Sequence, residues 1–151
     1  TVGGEGSAFF VLSKTKSDAD YASLNAVKTI YNPVSTNEIQ THIADLLASN
    51  NLKREDIDLV IYGYNGDART DHWYKTVQEN YFKNTSACWF KHLCGEYQTA
   101  GAFAMWLAAV ILKSGKVPAP VLLGTVKSGG VKRILIYNSY ANNHALYLLS
   151  A

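Results

Sequence analysis

The sequence has few residues of the kinds that mark disulfide-bonded, fibrous or disordered proteins. Its 151 residues include two cysteines, three prolines and one methionine, and only 17% are charged. The two cysteines, Cys88 and Cys94, build no disulfide framework, and we interpret them as reduced thiols of a cytoplasmic protein. With 48% apolar residues the chain is not disordered. Its length is enough for one domain that buries roughly 70% of its unfolded surface without a metal or disulfide.

Charge and hydropathy exclude two further classes. The chain has 14 Lys and Arg against 12 Asp and Glu, a net charge of +2, and no basic stripe, so no nucleic-acid partner is expected. Its most apolar stretch, residues 100–112, is shorter than the roughly 20 residues that a membrane-spanning helix needs. We therefore expect no membrane association and assign this stretch to a core helix.

Short apolar segments alternate with helical patterns along the chain. This order predicts an α/β domain with a mixed five-stranded sheet and helices on both faces. The short polar link over residues 138–144 predicts that the last strand is antiparallel to the one before it. A short apolar run after the Gly-rich opening predicts a buried strand at residues 8–12. Further strands are predicted at residues 22–31, 57–62, 87–90, 133–137 and 145–149.

Three helices are predicted between these strands. The first starts with a capping box in which Ser35 and Glu38 exchange hydrogen bonds, and it ends at residues 50–51. The second is capped near Thr70, after a loop over residues 63–67. The third covers residues 99–112 and is apolar nearly all round, which predicts that it lies between two layers of structure. The residues expected on the inner faces of the first two helices are Ile39, Ile43, Leu46, Leu47, Trp73, Val77 and Tyr81.

Four segments, in order, resemble the C-terminal half of the β-ketoacyl synthases, which have the thiolase-like fold. Residues 4–12 resemble the strand that closes the N-terminal half of that family, and residues 57–63 resemble the strand that carries its first catalytic histidine. Lys91, followed five residues later by Glu96, resembles the family's lysine and second histidine. Residues 138–143 resemble its closing Asn-Ser-Phe-Gly loop, shortened here.

The resemblance covers nearly the whole chain. It implies one C-terminal domain over residues 1–151, of which residues 1–13 correspond to the end of the N-terminal half. Because the chain opens with Thr1 and a Gly-rich run, we expect it to be a piece of a longer protein. The family has its nucleophilic cysteine in the N-terminal half.

The family's chemistry implies what the matching positions do. These enzymes are acyltransferases of fatty acid and polyketide biosynthesis, and they extend acyl chains held on an acyl carrier protein. The nucleophilic cysteine takes up the acyl group, and two histidines assist loss of CO2 from a malonyl thioester. Here Tyr62 and Glu96 stand at the two histidine positions, and Lys91 alone keeps the family's residue type. Neither a cofactor nor a metal is implied.

These substitutions favour a catalytically degenerate member that resembles the chain-length factors. An anionic Glu96 next to a developing enolate is repulsive, so decarboxylation by the usual route is not expected. The implied partners are an acyl carrier protein and, in the full-length protein, a homodimer mate or an active synthase. Two alternatives stay open, namely an active condensing enzyme with a modified site and a thiolase-like interaction module. The candidate cleft residues are Tyr64, Asn65, Asn138, Tyr140 and Asn142.

Other motifs have simpler interpretations. The spacing of Cys88, His92 and Cys94 fits no common zinc pattern, so no metal site is predicted. Neither cysteine has a neighbouring base that would make it a nucleophile. The glycines at residues 3–6 precede a predicted strand, an unsuitable order for binding phosphate. The run Lys127, Ser128 and residues 129–130 predicts a turn.

Overall fold

The computed structural model describes residues 2–126 and 129–151 of the chain. The described residues form a six-stranded mixed sheet in the order β1, β6, β5, β2, β3, β4. The strands are β1 (Ser23–Tyr31), β2 (Leu59–Tyr62), β3 (Ser86–Trp89), β4 (Leu122–Leu123), β5 (Arg133–Tyr140) and β6 (Asn143–Ser150). The helices are α1 (Thr36–Ala48), α2 (Ala68–Asn80), α3 (Lys91–Cys94) and α4 (Ala100–Ser114). Single 3-10 turns cover Arg54–Asp56 and Ala119–Val121.

The centre of the sheet is parallel and its flanks are antiparallel. Strand β2 pairs in parallel with β3 on one side and with β5 on the other. Strand β6 pairs antiparallel with both β5 and β1, which confirms the predicted orientation of the last strand. Parallel strands are usually buried on both faces of the sheet, and the nearly continuous apolar sequences of β2 and β5 are typical of such strands.

Helices cover both faces of the sheet, as predicted. One core contains α1 and α2 packed against Val60, Tyr62, Leu135 and Tyr137. The other core contains α4 packed against strand residues that point to the opposite face, including Ile61 and Ile136. The alternation along β2 and β5 therefore divides their side chains between two cores.

Helix α1 begins as the sequence predicts, with one difference in its cap. Ser35 accepts a hydrogen bond from the backbone N–H of Glu38 at 3.2 Å. The Glu38 carboxylate accepts from the N–H of Val34 at 2.8 Å, where the capping box predicts Ser35. The helix start is thus set by the expected two side chains, with the return bond displaced by one residue.

Two strand predictions need correction. Residues 8–12 form no strand and are mostly exposed, and the N-terminal segment meets another part of the chain in a β-bridge only between Gly3 and Glu96. An apolar run becomes a strand only when a neighbouring edge pairs with it, and none does so here. Strand β4 was missed because its two residues are too short to show a pattern. The sheet consequently has six strands rather than five.

The start of α2 also differs from the prediction. Asp67, and not Thr70, caps the helix by accepting from the N–H of Arg69 at 3.0 Å. Both residue types are good caps, and the helix starts one turn earlier than expected. The predicted inner face is nevertheless found: Val77 is buried, and Trp73 and Tyr81 are partly buried against the same core, which Tyr74 also joins.

Helix α4 is covered on one side within the described residues. Its buried face includes Gly101, Ala104, Ala108 and Ile111, as its small residues predict. Its outer face leaves Trp106 48% exposed, so the second covering layer expected from its composition is not present among residues 2–126 and 129–151. No described helix is long and apolar enough to cross a membrane.

One turn prediction falls partly on residues that the structure does not describe. Gly129 and Gly130 both adopt positive φ angles, +127° and +79°, conformations that favour glycine, and the chain turns at Gly129. Lys127 and Ser128, which complete the predicted turn, lie outside the described residues.

Candidate functional site

The candidate site lies where the three parallel strands end. Tyr62 is in register with Trp89 of β3 and with Tyr137 of β5, so the segments that follow these strands meet at one edge of the sheet. Carboxyl ends of parallel strands are where α/β proteins commonly place their sites. Here they contribute the loop after β2, helix α3 and the last residues of β5.

Lys91 forms the centre of this cluster. Its ammonium group donates to both carboxylate oxygens of Glu96, at 2.9 and 2.8 Å, and to the backbone oxygen of Ser139 at 2.9 Å. A lysine ammonium has three N–H donors, and all three are used. The Lys91 side chain is only 1% exposed and that of Glu96 14%. Burial lowers the pKa of Lys91 and the Glu96 carboxylate opposes this effect.

Asn65 links the ion pair to the loop after β2. Its side-chain amide donates to Glu96 at 2.6 Å. The loop is in turn held by Asp71 of α2, whose two oxygens accept from the backbone N–H groups of Asn65 and Gly66, each at 3.0 Å. Glu96 is therefore bound by Lys91 on one side and by a fixed loop on the other.

Gly63 allows three side chains to approach one another behind the ion pair. A Cβ atom at this position would collide with the Asn138 side-chain oxygen, the Tyr74 hydroxyl at 2.7 Å and Lys91 Cε at 3.2 Å. The Tyr74 hydroxyl lies 2.7 Å from the Ser139 hydroxyl and accepts from the Ser139 N–H at 2.8 Å. Close packing at this point requires glycine.

The N-terminal segment fixes the backbone of Glu96. The Glu96 N–H donates to the Val2 oxygen at 2.9 Å, and the Gly4 N–H donates to the Glu96 oxygen at 3.1 Å. Gly95 has a φ of +75°, and a Cβ there would lie 2.7 Å from Gly4 Cα. The crossing of these two glycines places the Glu96 side chain towards Lys91.

Tyr62 lies apart from this ion pair. Its side chain is fully buried, and its hydroxyl has no hydrogen-bond partner among the described residues. The ring packs among Tyr64 at 5.7 Å and Tyr74 at 6.4 Å between centroids. Burial raises the pKa of Tyr62 well above its usual value. Tyr62 is thus part of an aromatic cluster with Tyr64 and Tyr74 and does not belong to the Lys91 and Glu96 ion pair.

The predicted cleft residues fall in different places. Asn65 contacts Glu96, and Tyr64 donates to Gln78 at 2.8 Å within the aromatic cluster. Asn138 and Tyr140 line a cavity of about 320 Å³ between α4 and the hairpin of β5 and β6. Asn142 lies at the exposed turn of this hairpin, where its backbone oxygen accepts from the Asn32 N–H at 2.7 Å.

The cysteines lie in different environments from one another. Cys88 is buried, and burial raises its pKa to about 12. Cys94 is partly exposed, and burial raises its pKa as well. A thiol with a raised pKa is a poor nucleophile at neutral pH. Among the described residues no group of three or more His, Cys, Asp or Glu side chains is placed to hold a metal ion.

Known structures share this fold, while no family profile and no curated protein matches the sequence. One is the ishigamide ketosynthase/chain length factor, with a TM-score of 0.72 and 14% identity over 87% of this chain and 38% of that chain. Another is a type II polyketide synthase acyl-carrier protein in complex with its ketosynthase bound to the hexaketide, with a TM-score of 0.67, 14% identity and the same two coverages.

A third match comes from a different polyketide synthase. It is ketosynthase twelve from the bacillaene polyketide synthase of Bacillus amyloliquefaciens, with a TM-score of 0.64 and 16% identity over 86% of this chain and 30% of that chain. The chain has the fold of part of a ketosynthase. It spans less than two fifths of the length of these three ketosynthase structures.

The ketosynthase fold agrees with the resemblance that the motifs indicate, and the roles of single residues stay predictions. The structure brings Lys91 and Glu96 into direct contact, whereas Tyr62 makes no hydrogen bond to either. Sequence reasoning did not find Tyr74, Ser139 or Asp71 as parts of the site. Tyr74 and Ser139 belong to segments 65 residues apart, and nothing in their local pattern indicates the pairing. Asp71 is only six residues from Asn65, but its carboxylate contacts the backbone of the loop, which a side-chain pattern does not show.

Proposed function

We propose that this chain is a catalytically degenerate domain of a ketosynthase-like protein, and that it acts with an acyl carrier protein and an active synthase in polyketide-type chain assembly. The single observation that carries the proposal is the saturated hydrogen bonding of Lys91. With all three N–H donors on Glu96 and Ser139, the ammonium group offers none to a bound thioester.

The electrostatics of the site favour the same function. Decarboxylation of a malonyl thioester develops negative charge on the thioester oxygen, and catalysis of this step needs hydrogen-bond donors aimed at that oxygen. Glu96 instead contributes acceptor oxygens, and these are already occupied by Lys91 and Asn65. Tyr62, at the other histidine position, keeps its proton at neutral pH, but its hydroxyl is fully buried and so is closed off from a bound thioester. No group of this pair is suited to stabilise the enolate.

The partner part of the proposal rests on the similar structures. One of them is a ketosynthase/chain length factor, and another is an acyl-carrier protein in complex with its ketosynthase. A domain that keeps this fold while its site is internally paired fits a subunit that contributes shape and contacts to a complex. The rival function is an active condensing enzyme with a modified site, and the third is an interaction module without affinity for acyl carriers.

A decarboxylation assay separates these functions. The full-length protein is incubated with malonyl carrier protein, and CO2 release and acetyl carrier protein are followed by mass spectrometry. We expect no decarboxylation above the rate without protein, while titration with acyl carrier protein gives saturable binding. Decarboxylation that is lost in Glu96→Gln and kept in the surface variant Glu79→Gln would support the rival enzyme. Absence of carrier binding would remove the acyl-chain function altogether.

A further inference from the structure

A second cavity lies at the opposite end of the sheet from Lys91. It has a volume of about 460 Å³, which is within the range of small-molecule sites. It lies where β5 begins and β6 ends, beside the β-bulge between Leu24 and Ala26 in β1. Its lining consists of Asn25, Asn50, Leu52, Lys132, Arg133, Leu148, Ser150 and Ala151.

Two cations in this lining have no acidic partner. Within residues 2–126 and 129–151, neither the Arg133 guanidinium nor the Lys132 ammonium makes a hydrogen bond or ion pair. The adjacent carboxylate, Asp58, uses its Oδ2 atom to accept from the backbone N–H groups of Lys132 and Arg133, each at 2.8 Å. No lining side chain is an Asp or Glu. Arg133 is half-buried and Lys132 is exposed, and with no acidic partner both charges are available to an anion.

The rest of the lining adds polar groups and an apolar wall. The Asn25 amide and the Ser150 hydroxyl have no side-chain hydrogen bonds to the described part of the chain, while Leu52 and Leu148 present apolar surface. A guanidinium offers a planar fork of donors that fits two phosphate oxygens, and an ammonium adds a point charge. The combination suits a ligand with a dianionic group at one end and an apolar group at the other.

We propose that this cavity binds a small organic phosphate monoester. Its phosphate lies between Arg133 and Lys132, within reach of Asn25 and Ser150, and its organic part packs against Leu52 and Leu148. The proposal is independent of the proposed function, because it uses no residue of the Lys91 and Glu96 site.

Phenyl phosphate is a suitable probe, because it is dianionic above about pH 7 and carries an apolar ring. Isothermal titration at low ionic strength is expected to give saturable binding with one ligand per chain. Arg133→Gln is expected to weaken this binding at least about tenfold, since hydrogen bonds to charged groups are lost. Lys132→Gln is expected to weaken it several-fold, and it keeps a test available where Arg133→Gln fails to fold by circular dichroism. The matched control is Lys116→Gln, an exposed lysine outside the cavity, which is expected to bind as the unaltered chain does.

Further probes identify what the cavity recognises. Benzyl alcohol, which has the ring without the charge, is expected not to bind, and inorganic phosphate is expected to bind more weakly than phenyl phosphate. If inorganic phosphate binds as tightly as phenyl phosphate, the inference that the cavity also recognises the organic part of the ligand is wrong. Binding that does not saturate would overturn the site. Binding that is unchanged in both Lys132→Gln and a folded Arg133→Gln would overturn it too, as would an equal loss of binding in Lys116→Gln.

Discussion

The Lys91 ammonium lies between both carboxylate oxygens of Glu96, at 2.9 and 2.8 Å, in a place where only 1% of the lysine side chain is exposed. A buried ion pair gains Coulomb energy and loses hydration, so its net contribution to stability is small. Removing one partner is different, because the remaining charge then stays in the protein without compensation. The pair therefore determines how the site responds to substitution.

Glu96→Gln leaves Lys91 without a counter-charge and is expected to lower the free energy of unfolding at pH 7 by about 3 kcal/mol. Urea denaturation followed by circular dichroism measures this change. The double variant Lys91→Met with Glu96→Gln removes both charges and is expected to recover part of the loss. The control is Glu79→Gln, whose partner Lys75 is 69% exposed, and its expected effect is within about 0.5 kcal/mol. An unchanged midpoint in Glu96→Gln would contradict the inferred coupling.

Two buried tyrosines give a second prediction, because their hydroxyls differ in hydrogen bonding. The Tyr62 hydroxyl has no partner among the described residues, whereas that of Tyr74 bonds to the side chain and backbone of Ser139. Tyr62→Phe removes an unsatisfied polar atom and is expected to be neutral or stabilising. Tyr74→Phe leaves two Ser139 groups unpaired and is expected to cost about 2 kcal/mol.

Thermal unfolding of the two Tyr→Phe variants checks this order directly. The two substitutions delete the same atom from buried rings on the same face of the sheet, so each serves as the control for the other. Equal losses of stability in the two variants would show that the Tyr62 hydroxyl has a partner after all.

The helices and strands that show a clear pattern of apolar residues could be predicted from the sequence. Helix α1 shows both a capping pair and an apolar face, and β5 and β6 are apolar segments joined by a short polar link. Residues 8–12 have an equally apolar composition and yet form no strand. Whether an apolar run pairs depends on an edge supplied by the rest of the fold, and a local pattern contains no information about that edge.

The site was predictable to the extent that its contacts are local. Lys91 and Glu96 are five residues apart with a glycine between them, and the family resemblance named both as candidate site residues without predicting their ion pair. Tyr74 and Ser139 are 65 residues apart, and Asp71 acts on the backbone of a loop. The contact between Tyr74 and Ser139 depends on the position of β5 beside β2, which only the folded chain establishes.

Gly63→Ala is expected to destabilise the chain by about 1 to 3 kcal/mol, because a Cβ atom would overlap the Asn138 side chain and approach Tyr74 and Lys91. Gly3→Ala is the matched control, since a Cβ at Gly3 meets nothing within 4 Å. Differential scanning calorimetry of the two variants measures the contrast. A loss as large in Gly3→Ala as in Gly63→Ala would show that the packing around Gly63 is not responsible.

His144 predicts how stability depends on pH. The side chain is 3% exposed, its Nδ1 atom lies 2.8 Å from the Tyr137 hydroxyl, and the Trp73 ring packs edge-on at 5.0 Å. Burial lowers the pKa of His144 to about 4, a shift that Glu38 opposes and His72 strengthens.

In the unfolded chain the imidazole has a pKa of about 6.5. Between that pH and about 4 the unfolded state binds more protons than the folded state, so stability falls as the pH is lowered through this window. The expected loss is about 3 kcal/mol, and it is present only below the unfolded pKa. Urea titrations at pH 7.5, 6, 5 and 4 measure it. His144→Gln is expected to flatten the profile, whereas His92→Gln, which changes an exposed imidazole stacked on Trp89, is expected to leave it unchanged. A profile of the same slope in His144→Gln would assign the acid sensitivity to the carboxylates instead.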